Sequence, residues 1–343
     1  MNRVTVLLSV YNGAEFLAET INSVLTQTYT DFDFLIINDA STDNSEEIIL
    51  SYKDSRIQYL INEQNLGSIG SPQKGMDLIQ SDYIARIDQD DLWQPSKLEK
   101  QIDFLDSNPE IGLCGTSIEL IGDRTGVRMF PISNEPLKVG FLFGCLMSHP
   151  SVIFRKSFLI ESGLRYSPEY YLADDYKMWI DCLNHTQIYN IPEVLVSYRQ
   201  HESQICSIHA PEQLIVKNRV RLEMLERIYP NTTEEEQKFH LETFVEQKIQ
   251  SVNDYKKCIA WKKTLQWQNK LNGFYIQPHV LDKELDKYIQ VGYKQYILIM
   301  YFKEFTFANA LKYVCSLRWR YLSLRRNLSL FYKCVFLYGN SFL

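Results

Sequence analysis

The sequence predicts an α/β fold, with a mostly parallel sheet flanked by helices, followed by a mainly α-helical C-terminal region. Apolar, strand-like runs alternate with helix-like segments over the first ~110 residues, the pattern of βαβ units. These runs are nearly continuous rather than alternating, as in strands that are covered on both faces. Beyond residue 211 the sequence is mostly helical and rich in Tyr, Lys and Glu.

The first strand-like run, 4–10, ends at a Tyr-Asn-Gly turn, and residues 14–26 then carry apolar side chains at helical spacing. The alternation continues with strands at 32–37, 57–61 and 83–87 and with helices at 46–52, at 67–79 and from 93 onward. Pro95 suits the first turn of the last of these helices. A βαβαβαβ series implies parallel strands joined by right-handed crossovers.

Residues 111–198 are mixed, with a helix predicted at 174–185 between short apolar runs. We therefore predict two regions, a catalytic-type α/β domain at 1–210 and a helical region at 211–343. The helical region is expected to contact an acceptor, another subunit or a membrane surface.

Composition narrows the class of protein. The 343 residues are 45% hydrophobic and 23% charged, which is typical of a globular protein, and the net charge of −6 gives no reason to expect nucleic acid. Seven scattered cysteines without a CxxC pair argue against a zinc site or a disulfide framework and fit a reducing compartment. We read no signal peptide and no spanning helix, so a cytoplasmic protein is expected.

The acidic tetrad Asp88-Gln89-Asp90-Asp91 directly follows the strand-like run 83–87. Carboxylates are poor strand residues, and ligands of open α/β sheets bind at the carboxyl ends of the strands. Mg²⁺ and Mn²⁺ prefer oxygen ligands and are often held by carboxylates together with substrate phosphates. The tetrad therefore predicts a metal–phosphate site, with a solvated acidic turn as the alternative.

Other phosphate-binding classes fit less well. The sequence lacks GxGxxG and GxxxxGK[ST], so no glycine-rich loop is predicted to bind a diphosphate. A metal ion on the acidic tetrad would bind it instead. A sugar-1-phosphate nucleotidyltransferase remains an alternative, but the turn at 11–15 has no basic residue. An aspartyl phosphatase would need DxDx[TV], which the tetrad does not match. A non-catalytic nucleotide-sugar-binding subunit is a further alternative.

Four segments in order, 8–12, 36–43, 65–67 followed by 85–91, and 173–179, resemble the family 2 inverting glycosyltransferases of the bacterial polysaccharide and glycolipid type. The resemblance covers residues 3–200. It implies the GT-A fold and a metal-dependent enzyme, using Mn²⁺ or Mg²⁺, that moves a sugar from a nucleotide-diphosphate sugar to a hydroxyl of a glycan or glycolipid. A UDP-sugar is the expected donor, with dTDP and GDP left open.

The resemblance assigns nucleotide contacts to five residues. Asp39 matches the acid that reads the base, although an acid at a helix start is the alternative. Val10, Tyr11 and Asn12 match the segment that lines the nucleoside pocket, or else form a simple turn. Asp88 matches the first acid of the DXD motif and would contact the ribose, or the metal through water.

The metal would be held by Asp90, the second acid of the DXD motif, and by His201, which follows Tyr198-Arg199-Gln200 in a Tyr-Arg-x-His segment. A structural histidine is the alternative for His201. Asp91 is expected to cap the next helix.

Asp175 matches the catalytic base, and its alternative is a first-turn acid of the same helix. Asp174 stands where the family usually has Glu, and it could instead be the helix N-cap. Five residues are candidates for substrate or phosphate contact, with surface or structural roles as alternatives: Lys74, Arg86, His149, Asp174 and Arg199.

The C-terminal segment carries an apolar stripe at helical spacing, from Ala310 through Val314 and Leu328 to Val335, and no acid follows Glu304. Six Lys and Arg in these last residues would suit an anionic membrane surface. Packing on the protein's own helices, or on a second copy in a homo-oligomer, is the alternative. The expected partners are thus a nucleotide-sugar donor, a glycan or lipid-linked acceptor and a peripheral membrane contact.

Overall fold

The computed structural model describes residues 2–273, 277–301, 311–314 and 328. The chain divides into two compact units, Met1–Met224 and Leu225–Leu343. The sequence placed this division at 210/211, which lies at the start of a long helix rather than near its end. All residues of the candidate site belong to the first unit.

The described strands, in chain order, are β1 (Val4–Val10), β2 (Phe32–Asn38), β3 (Ile57–Ile61), β4 (Tyr83–Ile87), β5 (Leu92–Trp93), β6 (Ile111–Gly122), β7 (Gly126–Arg128), β8 (Ile153–Arg155) and β9 (Gln187–Gln200). The described α-helices are α1 (Leu17–Leu25), α2 (Ser45–Ser51), α3 (Gly67–Leu78), α4 (Lys97–Ser107), α5 (Asn134–Gly140), α6 (Lys156–Ser162), α7 (Asp174–Cys182), α8 (Ile205–Ile208), α9 (Ala210–Ile228), α10 (Glu234–Lys238), α11 (Val252–Asn272) and α12 (Pro278–Tyr301).

These strands form one sheet in the order β3-β2-β1-β4-β8-β6-β9-β5, with β7 on β6. The long ladders, β1 with β2 and β4, β2 with β3, and β6 with β9, are parallel. The antiparallel ladders of β4 with β8, of β5 with β9, and of β6 with β7 and β8 are only two or three residues long. The predicted α/β class with a mostly parallel sheet is confirmed.

The central strands are apolar because helices cover both faces of the sheet. Every residue of β1 except Ser9 is buried, and β4 is buried throughout. A parallel strand in this position gains about 25 cal/mol for each Å² of apolar surface removed from water on either face. This burial fixes the carboxyl ends of β1, β2 and β4 at one edge, where the polar residues follow.

The segment after the acidic tetrad differs from the prediction. Leu92–Trp93 is a short strand that pairs with Ser197 and Val196 of β9, and the helix begins only at Lys97, after Ser96 as N-cap. Pro95 therefore lies outside the helix. The pairing partner stands more than 100 residues away, so the local helix signal did not reveal it.

The C-terminal region is mainly α-helical, as predicted. Two of its helices begin with capping boxes, Thr233 with Glu236 and Ser251 with Asp254. Within the part of the chain that the structure describes, no helix has the length and apolarity needed to cross a membrane. The predicted apolar stripe lies largely outside the described residues, and its described members Val314 and Leu328 are exposed.

Candidate active site

The site lies where β1, β2 and β4 end. In the parallel ladders Val10 is opposite Asn38, and Leu8 is opposite Ile87, so the residues that follow these strands share one edge of the sheet. The backbone N–H of Asp39 donates to the carbonyl of Val10 at 2.7 Å, which joins the first two strand ends directly.

The turn after β1 presents Tyr11 to solvent, with 46% of its surface exposed. Asn12 next to it has a left-handed backbone (φ 49°), and its side-chain Oδ1 accepts from the N–H of Thr42 at 2.8 Å. Ala40 is also left-handed (φ 60°), a conformation that costs a non-glycine residue about 1 kcal/mol or more and that clusters at functional sites. Tyr11 is thus the free side chain of this turn, whereas Asn12 is engaged in holding the turn.

Asp39 is buried, with 2% exposure, and its carboxylate has three donors. Oδ1 accepts from Asn62 Nδ2 at 2.6 Å and from Leu66 N at 2.9 Å, and Oδ2 accepts from Gly67 N at 2.9 Å. Gly67 has φ +78°, which favours glycine there, and it opens α3. Asp39 therefore fixes the start of α3, and one lone pair of Oδ2 stays available for a ligand.

Lys74 lies behind this carboxylate. Its Nζ donates to Asn62 Oδ1 at 2.7 Å, which orients the Asn62 amide so that Nδ2 faces Asp39. Lys74 thus acts on Asp39 indirectly, by orienting Asn62. Asn62 was not among the site residues predicted from the sequence. The only advance signal was its place directly after β3, whose last residue Ile61 is opposite Asn38; the backbone N–H of Asn62 donates to Asn38 O at 2.8 Å.

Gln89, the residue between the two acids of the DXD motif, joins the tetrad to the turn after β1. Its Oε1 accepts from Tyr11 N at 2.9 Å, and its Nε2 donates to Tyr11 O at 3.2 Å. A Cβ on Gly13 would stand 2.6 Å from the same Oε1, so glycine is needed for this approach. Sequence reasoning missed Gln89 because an amide between two acids carries no signal of a contact 78 residues away.

Asp88 is held from beneath by Arg86, which is 3% exposed and donates from Nη2 to Asp88 Oδ1 at 3.0 Å. His149 Nδ1 lies 3.8 Å from the other oxygen, Oδ2. The structure therefore brings together three residues that the sequence had named separately.

Asp90 and His201, the two predicted metal ligands, are in direct contact, with His201 Nε2 2.9 Å from Asp90 Oδ2. His201 Nδ1 is 2.7 Å from Ser203 Oγ, and Gln204 Nε2 approaches Asp90 Oδ2 at 3.4 Å. Burial raises the pKa of Asp90, and the contacts of His201 and Gln204 partly offset this rise.

Asp91 does not cap a helix, contrary to expectation. It is fully buried, and its Oδ1 accepts from the backbone N–H of Arg199 at 2.8 Å. Burial, followed by the charges of Asp90 and Asp88, raises the pKa of Asp91 well above its usual range. The acid thus anchors the end of β9 against the tetrad.

Arg199 reinforces this anchor. Its Nε donates to Asp90 O at 2.9 Å, its Nη2 donates to Glu19 Oε2 at 2.7 Å, and its guanidinium lies 4.4 Å from the Phe16 ring centroid. The guanidinium therefore contacts three protein groups, which favours a structural role for Arg199 over direct contact with a phosphate.

Asp174 and Asp175 are the first two residues of α7, whose N-cap is Ala173, so Asp174 is not the cap. Asp175 Oδ1 accepts from the N–H of Tyr176 at 2.6 Å, and Oδ2 lies 3.8 Å from Cys145 Sγ. Burial, and next the charge of Asp175, raise the pKa of Asp174. The raised pKa means that Asp174 holds a proton more readily than an exposed aspartate does.

The helix of Asp175 reaches the tetrad through His149. The His149 ring packs edge-on against Trp179, one turn further along α7, with centroids 6.0 Å apart, while its Nδ1 faces Asp88. His149 thus connects the acid at the end of β4 to the helix that begins with Asp174 and Asp175, and the charge of Asp88 contributes to the raised pKa of Asp174.

The sequence pattern of glycosyl transferase family 2 matches residues 5–156. An uncharacterized glycosyltransferase of Haemophilus influenzae is 32% identical over 235 residues, which are 64% of this chain and 72% of the relative. An uncharacterized glycosyltransferase of Rickettsia typhi is 33% identical over 217 residues, 59% of this chain and 65% of the relative.

For two further similar proteins, the substrates or a bound ligand are known. An Escherichia coli UDP-Glc:alpha-D-GlcNAc-diphosphoundecaprenol beta-1,3-glucosyltransferase is 28% identical over 206 residues, 60% of this chain and 79% of that protein. The structure of Staphylococcus aureus TarS 1–349 in complex with UDP-GlcNAc aligns with a TM-score of 0.57 at 17% identity, over 85% of this chain and 91% of that chain.

The likeness to TarS confirms the GT-A fold, and the family pattern and the relatives confirm the activity class expected from the four motifs. The chain is a glycosyltransferase and belongs to glycosyl transferase family 2.

Proposed function

We propose that the enzyme transfers one sugar from a UDP-sugar to a hydroxyl of a glycan or lipid-linked glycan, with inversion at the sugar carbon and with the help of a divalent cation. The observation that carries this proposal is that Asp39 and Asp88 follow strand ends at one edge of the sheet, and that His149 connects Asp88 to the helix that begins with Asp174 and Asp175. The named E. coli relative uses UDP-Glc and a diphosphoundecaprenol-linked acceptor, and TarS was crystallised with UDP-GlcNAc. Both support a UDP-sugar donor.

The nucleoside would lie over the turn after β1. Tyr11 offers an exposed ring at the sheet edge, Asp39 keeps one carboxylate lone pair for the base, and Asp88 stands at the next strand end for the ribose. The diphosphate would then extend toward Asp90, and the sugar toward α7.

The residues at Asp90 fit a divalent cation. Within the described part of the chain no group of three His, Cys, Asp or Glu side chains forms a complete cage. Asp90 Oδ2 and His201 Nε2 are two adjacent atoms that could each bind a metal ion. Mg²⁺ or Mn²⁺ is commonly held by one or two protein groups plus substrate phosphates. When bound, the cation would neutralise charge on the departing diphosphate.

The chain's own groups perform the remaining chemistry. In a single in-line displacement, the Asp175 carboxylate takes the proton of the acceptor hydroxyl while that oxygen attacks the anomeric carbon of the donor and the bond to the diphosphate breaks. Asp174 next to it, whose pKa is raised by burial and by the charge of Asp175, would hold a proton more readily than an exposed acid and so place less negative charge near the acceptor.

Two substitutions test the assignment. We expect Asp175→Asn and Asp90→Ala each to lower transfer by about 100-fold or more, the usual weight of a general base or an electrostatic group. Asp123→Asn, an exposed acid in the turn between β6 and β7, serves as the matched control and should be neutral. Near-normal transfer by either site variant would refute the corresponding role.

A second assay separates an enzyme with this mechanism from a subunit that only binds the donor. Slow hydrolysis of UDP-sugar without acceptor should require Mn²⁺ or Mg²⁺, stop on chelation and return on re-addition. Donor binding without any hydrolysis or transfer, across a panel of glycan and lipid-linked acceptors, would contradict the proposal.

A further inference from the structure

Three side chains form a connected chain beneath Asp88: Arg86, His149 and Tyr166, hereafter the Arg86–His149–Tyr166 chain. Tyr166 Oη lies 2.7 Å from His149 Nε2, and Arg86 Nε lies 3.4 Å from the same nitrogen. Arg86 is 3% exposed and Tyr166 is 5% exposed, so water competes little for these contacts. Tyr166 belongs to none of the sequence motifs.

The hydrogen-bond donors in the Arg86–His149–Tyr166 chain determine which ring nitrogen of His149 carries the proton. An arginine guanidinium stays charged and can only donate hydrogen bonds. Arg86 Nε donates toward His149 Nε2 at 3.4 Å, which favours this nitrogen as the acceptor; the Tyr166 hydroxyl at 2.7 Å then acts as a second donor that shares its single lone pair. Burial raises the pKa of Tyr166, which keeps its hydroxyl protonated, and burial lowers the pKa of His149, which keeps its ring neutral.

A neutral ring with an unprotonated Nε2 carries its one proton on Nδ1, the nitrogen that faces Asp88 Oδ2 at 3.8 Å. The other oxygen of Asp88 already accepts from Arg86 Nη2 at 3.0 Å. Each oxygen of the carboxylate therefore faces a donor of its own, one from the strand and one from the segment before β8.

We propose that Arg86 and Tyr166 fix His149 as its Nδ1–H tautomer, so that Arg86 binds one oxygen of Asp88 while the His149 N–H faces the other at 3.8 Å, an arrangement that orients Asp88 toward the donor nucleotide. His149 and Tyr166 are thus positioning residues, and this inference rests on the nucleotide role proposed for Asp88. The His149 ring also packs on Trp179, so the same residue connects Asp88 to α7.

The decisive measurement is the tautomer itself. In the full-length protein labelled with ¹⁵N-histidine, long-range ¹H–¹⁵N spectra at neutral pH should show one ring in the Nδ1–H form, and His149→Asn should remove that signal. An Nε2–H form or a doubly protonated ring at His149 would overturn the proposal. This readout needs no turnover, so it is independent of the proposed activity.

Tyr166→Phe supplies the functional arm. It deletes one hydroxyl, keeps the ring, and should shift His149 toward a mixture of tautomers. The KM for the UDP-sugar should rise about 10-fold, the weight of one hydrogen bond in a charged network, while kcat changes less than about 3-fold because Asp175 is untouched. Tyr171→Phe, in the same segment and 45% exposed, is the control and should change neither value.

The two hypotheses fail in different ways. If Tyr166→Phe alters neither the tautomer nor the KM, the positioning role is wrong, although Asp90→Ala and Asp175→Asn can still abolish transfer. If those two variants keep transfer while His149 shows the Nδ1–H form, the proposed function fails and the tautomer lock stands.

Discussion

Replacing Asp39 tests whether the acid assigned to the nucleotide base also holds the fold together. Asp39→Ala removes an acceptor from Asn62 Nδ2, Leu66 N and Gly67 N, at 2.6, 2.9 and 2.9 Å. Asp39→Asn is the milder change, because its amide oxygen can still accept at the Oδ1 position while its NH₂ group faces the N–H of Gly67.

The expected magnitudes follow from these three contacts. A hydrogen bond to a charged group contributes about 1.5–3 kcal/mol, and a buried donor left without an acceptor adds its desolvation cost. Leu66 is 39% exposed, so water can replace part of the loss at the start of α3. We therefore expect Asp39→Ala to lower the free energy of unfolding by roughly 4–6 kcal/mol and Asp39→Asn by roughly 2–3 kcal/mol.

Urea unfolding followed by circular dichroism measures both changes. The alanine variant would lose a large share of a stability that is typically about 5–15 kcal/mol, so the asparagine variant is the one suited to ligand binding. The thermal shift that UDP produces in the wild type should be reduced in Asp39→Asn. Asp31→Ala, at an exposed acid just before β2, is the control and should stay within about 0.5 kcal/mol of the wild type.

An Asp39→Ala protein within about 1 kcal/mol of the wild type would refute the energetic reasoning. A stability loss of the expected size with an unchanged UDP shift would instead show that Asp39 is purely structural.

Further predictions concern the support of the site. Gln89→Leu removes both hydrogen bonds to the Tyr11 backbone, so the affinity for UDP, measured by calorimetry, should fall about 5- to 20-fold while the protein stays folded. An unchanged affinity would show that the turn after β1 keeps its conformation without Gln89. Lys97→Met should unfold at higher urea at pH 7, because the Lys97 Nζ is fully buried over Trp93 with no hydrogen-bond partner in the described structure. Burial lowers the pKa of Lys97 far below 10.5, so the folded state binds this proton more weakly than the unfolded state. The wild type therefore gains stability as the pH rises toward 10.5, and the advantage of Lys97→Met should shrink between pH 7 and pH 10; a constant or growing advantage would contradict the assignment.

The sequence predicted the elements whose signals are local. The strands that became β1 to β4 are continuous apolar runs, and Asp39, Asp88 and Asp90 follow the ends of such runs, so topology alone placed them together. Asp175 was found through its motif at the start of a helix. These signals needed only a few neighbouring residues.

The remaining features depend on partners far along the chain. Strands of two or three residues, such as β5 and β8, are too short for a periodic pattern and exist because β9 and β4 pair with them. The contact of Arg199 with the carbonyl of Asp90 spans 109 positions, and no local rule separates it from a phosphate contact. Tyr166 carries no motif and becomes significant only because its hydroxyl reaches His149.

The dependence of the acidic tetrad on the end of β9 has a consequence for the newly made chain. A ribosome that has translated residues 1–156 has completed the whole family-matched segment, and domains begin to fold from the N-terminus during synthesis. Neither Asp175 nor His201 exists at that moment, and Asp91 has no Arg199 backbone to bind. Under the proposed roles, the nascent chain could bind a nucleoside before it could transfer a sugar, because the proposed base and the proposed cation ligand are synthesised only with α7 and the segment after β9.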